Sequence, residues 1–142
     1  MNYLYLVFSL LFALETLGQS NPTNLQVSIS GASSDTGSIR ILVFSKPNGF
    51  PDQVKQAVRS ISLPSKNGKA SFKLTDLPTG TYAIGVIHDQ DNNGKLSTNA
   101  VGYPTEKFGF SNNPKVYFGP PSFEKAAFVL GKTAVSLEIS LR

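Results

Sequence analysis

Residues 88–99 read His-Asp-Gln-Asp-Asn-Asn-Gly-Lys-Leu-Ser-Thr-Asn, the one stretch where carboxylate and amide oxygens converge at ligand-like spacing. Asp89, Asp91 and Asn93 fall at positions 1, 3 and 5 of an EF-hand-type loop. Gly94 supplies the sharp turn at position 6, and the Lys95 carbonyl is the backbone ligand at position 7. Oxygen donors in this order suit a hard cation, and calcium is the expected cofactor. Position 12, where the motif needs a bidentate Glu, is Ala100, so a site here is weaker or is completed from elsewhere, with Ser97 and Asn99 the nearest candidates. With only Asp89 and Asp91 as carboxylates, the expected affinity is low and matches the calcium-rich exterior of cells. The same residues also read as an Asx-rich turn whose side chains bond their own backbone.

Other chemistry is sparse. His88 is the single histidine and could pair with a loop carboxylate as the general base of a hydrolase. Against that stands a strand-end histidine satisfied by the backbone that follows. No Gly-x-Ser-x-Gly nucleophile elbow occurs, and no histidine or cysteine cluster suits zinc. Residues 99–124 lack periodicity and are rich in glycine and proline, yet they hold Tyr103, Phe108, Phe110, Tyr117, Phe118 and Phe123. Disordered segments are poor in aromatics, so this long loop is expected to be ordered. Tyr103, Phe108, Phe110 and Phe123 beside Asn112 and Asn113 could form a platform for a glycan or peptide. The competing expectation is a loop that folds back and caps the open end of the fold with its rings buried. Glu106 and Glu124 then pair with lysines or complete the metal shell, and the sequence does not choose between these.

The elements that must position these residues are short strands. A chain of 142 residues suffices for one domain, expected over residues 22–142. Residues 24–30, 38–45, 61–63, 70–75, 81–88, 126–130 and 134–141 carry alternating or β-branched patterns bounded by turn residues. The run at 38–45 is apolar on both faces and reads as a central strand. Asn67-Gly68 is a hairpin signal, and residues 52–59 have the spacing of a turn or two of helix that could cross between sheets. About seven strands with one short helix argue for an all-β, antiparallel sandwich.

Residues 3–14 are an almost unbroken apolar run, too short to span a bilayer and suited to a secretory signal peptide cleaved after residue 18 or as late as residue 20. The chain has no cysteine, so neither disulfides nor an acylated cysteine are available, and a soluble bacterial product in the periplasm or outside the cell is expected. The thirteen basic residues are scattered singly and form no nucleic-acid footprint.

Two resemblances rest on these residues. Residues 76–86, Asp-Leu-Pro-Thr-Gly-Thr-Tyr-Ala-Ile-Gly-Val, resemble the turn-and-strand signature of immunoglobulin-like and transthyretin-like sandwiches such as carboxypeptidase regulatory-like domains. A wider set occurs in order: Gly49-Phe-Pro, Leu77-Pro-x-Gly-x-Tyr, His88-Asp-x-Asp-x-Asn-Gly-Lys-Leu, Gly102-x-Pro-x-Glu, Phe108-Gly-Phe-Ser-Asn-Asn, and Gly119-Pro-Pro-Ser-Phe-Glu followed by residues 126–128. It resembles a family of small exported bacterial proteins catalogued as a domain of unknown function. The resemblance implies a sandwich fold and export, and it brings no activity. The family's loop carries an acidic residue after the leucine, where this chain has Ser97.

The expectation is therefore an exported, monomeric, non-enzymatic binding or accessory domain of the cell envelope with no membrane span. Its partner would be an envelope protein or glycan. The alternatives are a hydrolase using His88 and a structural subunit of an envelope complex.

Overall fold

The computed structural model describes residues 23–142; the apolar run at 3–14 and the cleavage positions at 18 and 20 lie outside the described residues. Eight strands form two sheets. The first has the order β4 (Lys69–Leu74), β1 (Leu25–Ser30), β8 (Val135–Ser140). The second has the order β3 (Arg59–Leu63), β2 (Ser38–Phe44), β5 (Gly80–Asp89), β6 (Phe108–Phe110), and β7 (Phe128–Leu130) pairs with the start of β5. The all-β sandwich expected from the patterning is what forms. Among the described residues, no helix is long and apolar enough to cross a membrane.

Alternation in β1, β2 and β5 aims one row of side chains from each into the space between the sheets. Leu25, Val27, Ile29, Ile39, Ile41, Val43, Tyr82, Ile84 and Val86 are buried there, closed off by Leu77, Phe128, Leu130, Ile139 and Leu141. The opposite faces of β2 and β5 are covered as well. Phe44 and Ala83 pack beneath Phe110, Phe123 and Ala126, with Phe50 and Val116 at the margin. This second apolar layer explains why the run at 38–45 reads as apolar on both faces. Its tightness is visible at Gly85, where a Cβ would lie 2.9 Å from the Pro51 carbonyl oxygen.

Several local expectations need correction. Residues 52–59 form only a 3-10 turn at Val54–Gln56, and this connection stays within one sheet, since β2 and β3 are adjacent antiparallel neighbours. The next crossing between sheets, from β3 to β4, falls instead at residues 64–68. Asn67 (φ +53°) and Gly68 (φ +72°) make the tight turn their dipeptide signals, and Lys66 bridges Lys69. Beyond that bridge the two strands part, β3 into one sheet and β4 into the other. β1 and β8 pair in parallel, Leu25 opposite Val135 through Ser30 opposite Ser140, so the sandwich is not antiparallel throughout. A parallel neighbour needs a long crossover connection, which here is the whole chain between them. Among the described residues, β6 lies inside the long aperiodic segment, and the α-helical turn α1 (Phe123–Ala126) straddles its end and takes Ala126 from the strand expected at 126–130, which is confined to Phe128–Leu130.

Candidate metal centre

β5 carries the chain through the middle of the second sheet and ends at Asp89, which is fully buried beside Ser38 of β2. Residues 90–107 then leave the sheet and return to it. A small hairpin organises the return: Thr98 bridges Pro104, the Asn99 N–H donates to the Tyr103 carbonyl (2.8 Å), and the Thr105 N–H donates to the Ser97 carbonyl (2.9 Å). The His88 N–H donates to the Lys107 carbonyl (2.8 Å), which extends the β5–β6 ladder. Glu106 sits between hairpin and ladder and so is brought back against Asp89.

Carboxylate oxygens of Asp89, Asp91 and Glu106 lie within 4.8 Å of one another, and Asp89 and Glu106 are buried. Backbone donors hold each group. Asp89 accepts the N–H groups of Asn93 (Oδ1, 3.0 Å) and Gly94 (Oδ2, 2.9 Å). Asp91 accepts the Asn93 N–H (3.1 Å), the Asn93 Nδ2 (3.1 Å) and the Ser97 hydroxyl (3.2 Å). Glu106 accepts the N–H groups of Gln90 (Oε1, 2.8 Å) and Ser97 (Oε2, 2.9 Å). Arg40 Nη1 stands 3.7 Å from Asp89 Oδ2 and is the cation facing the cluster. The Gly94 backbone at φ +86° permits the reversal that points its N–H inward.

The spacing argument thus placed Asp89, Asp91, Asn93 and Ser97 together. Asn93 Nδ2 donates to the Ser97 hydroxyl (2.9 Å), and Asn93 Oδ1 accepts the Lys95 N–H (2.9 Å). Asn99 is turned away from the carboxylates: its Oδ1 accepts the N–H groups of Val101 (3.1 Å) and Tyr103 (2.9 Å) and caps its own turn. The third carboxylate of the cluster is Glu106, where the motif spacing points to position 12, Ala100. Of Glu106 and Glu124, Glu124 is exposed in α1, and Glu106 joins the carboxylate cluster. Sequence spacing alone could not find it, because the hairpin that folds Glu106 back has no fixed length in the motif.

His88 is fully buried. Its Nε2 lies 2.8 Å from the Thr36 carbonyl oxygen, which can only accept, so this nitrogen carries the proton. Nδ1 then accepts from the Ser33 N–H at 3.3 Å. The ring ties the loop at 33–36 to the end of β5.

The aromatic segment divides in two. Phe110 and Phe123 are buried, and Phe50 meets Phe44, Phe123 and Phe110 at centroid distances of 5.5, 5.9 and 6.1 Å. Phe108 is half-buried against Phe110, whereas Tyr103 is exposed on the hairpin. Asn112 and Asn113 both take positive φ (+64° and +46°). The Asn112 Nδ2 donates to the Ala127 carbonyl. Asn113 donates to the Glu138 carbonyl (2.8 Å) and accepts the Ser140 N–H (2.9 Å), so its amide takes the place of a strand along the edge of β8.

A family model described as "uncharacterized protein conserved in bacteria (DUF2141)" matches residues 27–138. No curated protein and no solved structure matches the chain.

Proposed function

The chain belongs to this uncharacterized bacterial family, and from that premise we propose that it is an exported, non-enzymatic binding or accessory domain of the cell envelope whose Asp89 loop closes around a calcium ion. The observation that carries the calcium reading is the convergence of Asp89, Asp91 and Glu106 within 4.8 Å. Three carboxylates facing one guanidinium leave an uncompensated local charge that a dication neutralises, and burial of Asp89 and Glu106 makes that charge costly. Each oxygen that accepts one N–H keeps a further lone pair for a metal. The Ser97 hydroxyl beside Asp91 is placed to add a neutral donor, whereas Asn93 turns its Nδ2 toward the carboxylates and would have to rotate its amide to ligate. Bound there, the ion would pin the return of residues 97–107 to the end of β5.

Export is supported by the apolar run at 3–14. The hydrolase alternative requires a base that substrate can reach, and His88 has no exposed surface and both ring nitrogens engaged. The envelope protein or glycan it would serve has its best surviving candidate contact in Tyr103, since Phe110 and Phe123 are packed inward.

Thermal unfolding in excess calcium and again with chelator tests the metal reading. At a hundredfold excess over the dissociation constant a ligand that binds only the folded state adds about 2.7 kcal/mol, which for a domain of this size raises the Tm by roughly 10 °C. An unchanged Tm at millimolar calcium defeats it. Fractionation of expressing cells, with mass determination of the N-terminus, tests export.

A further inference from the structure

The loop between β6 and α1 ends in a tip that the fold leaves bare. Phe118 is 100% exposed and Tyr117 is 78% exposed, and Gly119 and Pro120 beside them are exposed too. The tip is held out rather than loose at its root, because Val116 packs against the Phe44, Phe110 and Phe123 cluster on one side and Phe123 is buried on the other. Isolated exposed apolar residues are ordinary, but two adjacent aromatics on a protruding, proline-braced loop forgo burial that each ring would gain elsewhere. Lys115 and Lys125 border the same shallow depression of about 240 Å³ as Phe118, Pro120 and Pro121. The wider charge has the same sign: residues 23–142 carry all thirteen basic side chains against eight acidic ones, and two of those acids, Asp89 and Glu106, are buried.

Aromatic rings flanked by lysines match a bilayer interface, where rings settle at headgroup level and ammonium groups meet lipid phosphates. We propose that the 115–125 loop docks on an anionic phospholipid surface, with Tyr117 and Phe118 entering the headgroup layer and Lys115 and Lys125 contacting the phosphates. The observation that commits the surface to lipid is the join of two adjacent, largely exposed rings to flanking cations around one shallow depression. Docking is independent of the calcium loop, which lies on the β5–β6 connection.

The chain has no tryptophan, so F118W in the full chain is a unique reporter at the tip. With vesicles of phosphatidylcholine plus phosphatidylglycerol its emission shifts to the blue. With phosphatidylcholine alone it does not. Lys115→Gln combined with Lys125→Gln weakens the apparent affinity on the order of thirtyfold, as expected for two phosphate-contacting cations. S71W, on the outer face of β4 in the opposite sheet, stays unshifted. The apolar run at 3–14 is present in every arm, so only the local emission reads the tip. An F118W emission that does not move, that moves equally on neutral vesicles, or that is matched by S71W overturns the proposal, as does unchanged affinity in the double lysine variant.

Discussion

Glu106 reaches back nine residues to accept the Ser97 N–H, 2.9 Å from its Oε2. The pair joins Ser97, one of two loop positions that lack an expected acid, to the carboxylate that the fold brings beside them. Glu106→Gln keeps the shape and an acceptor but removes a charge. It should abolish most of the calcium-dependent rise in Tm while changing calcium-free stability by no more than about 2 kcal/mol. Ser97→Asp adds a carboxylate beside Asp91 and should tighten calcium binding about tenfold, because ligand charge sets affinity in such loops. Calorimetric titration of both variants decides; equal affinities in wild type and Glu106→Gln would remove Glu106 from the site.

Gly37 is a second point on which the centre depends. Its φ is +71°, and a Cβ there would fall 2.1 Å from the Asp89 carbonyl oxygen. Gly37→Ala should therefore cost at least about 2 kcal/mol in urea unfolding, from the left-handed backbone and the clash together. A loss below half of that would mean the 33–37 loop moves freely away from β5.

Asp35 braces the 65–68 turn from outside. It accepts the N–H groups of Asn67 and Gly68, both at 3.0 Å, and the Ser65 hydroxyl at 3.2 Å. These bonds, the Gly68 and Asn67 amides foremost, hold its carboxyl below the usual value of 3.8. A carboxyl depressed in the folded state stabilises above the unfolded pKa, and the contribution fades as pH falls through the folded one. Asp35→Asn should thus be less stable than wild type at neutral pH, with the gap narrowing below about pH 4. Denaturant midpoints at pH 7 and pH 3 measure it; a gap that widens in acid contradicts the assignment.

Asn113 closes the edge of β8 through its bonds to Glu138 and Ser140. Asn113→Ala should lower stability by about 1–2 kcal/mol. It should also introduce concentration-dependent association, visible in sedimentation, because a freed strand edge pairs with its like. A variant that stays monomeric at every concentration would show that the edge is shielded by other groups.

Much of the frame was legible because alternation is a local property. β1, β4 and β8 each announce a period of two, and β2 announces burial on both faces. What escaped reading was decided at a distance. β6 is only Phe108-Gly-Phe110, too short to display a period, and it exists as a strand because β5 offers Gly85, Val86 and Ile87 as partners. The Asn67-Gly68 turn was correctly local, yet nothing local says that β3 and β4 enter different sheets. Asn112 and Asn113 looked like recognition residues because amides beside rings often are. Their positive φ angles and bonds to distant carbonyls give the pair a backbone role. In the Asp89 loop the first positions were readable from spacing, whereas Glu106 could be named only beside Glu124 and with lysine pairing as its alternative, since its arrival depends on a hairpin and on the Lys107–His88 bond.

The parallel pairing of β1 with β8 also sets an order of events. β1 is the middle strand of its sheet, so half of its ladder has no partner until the residues of β8 have been made. A nascent chain that has released β1 through β5 can assemble most of the second sheet but cannot complete the first. Closure waits for nearly the whole polypeptide, and a chain drawn through a narrow export channel during its synthesis would meet that channel before its fold is finished.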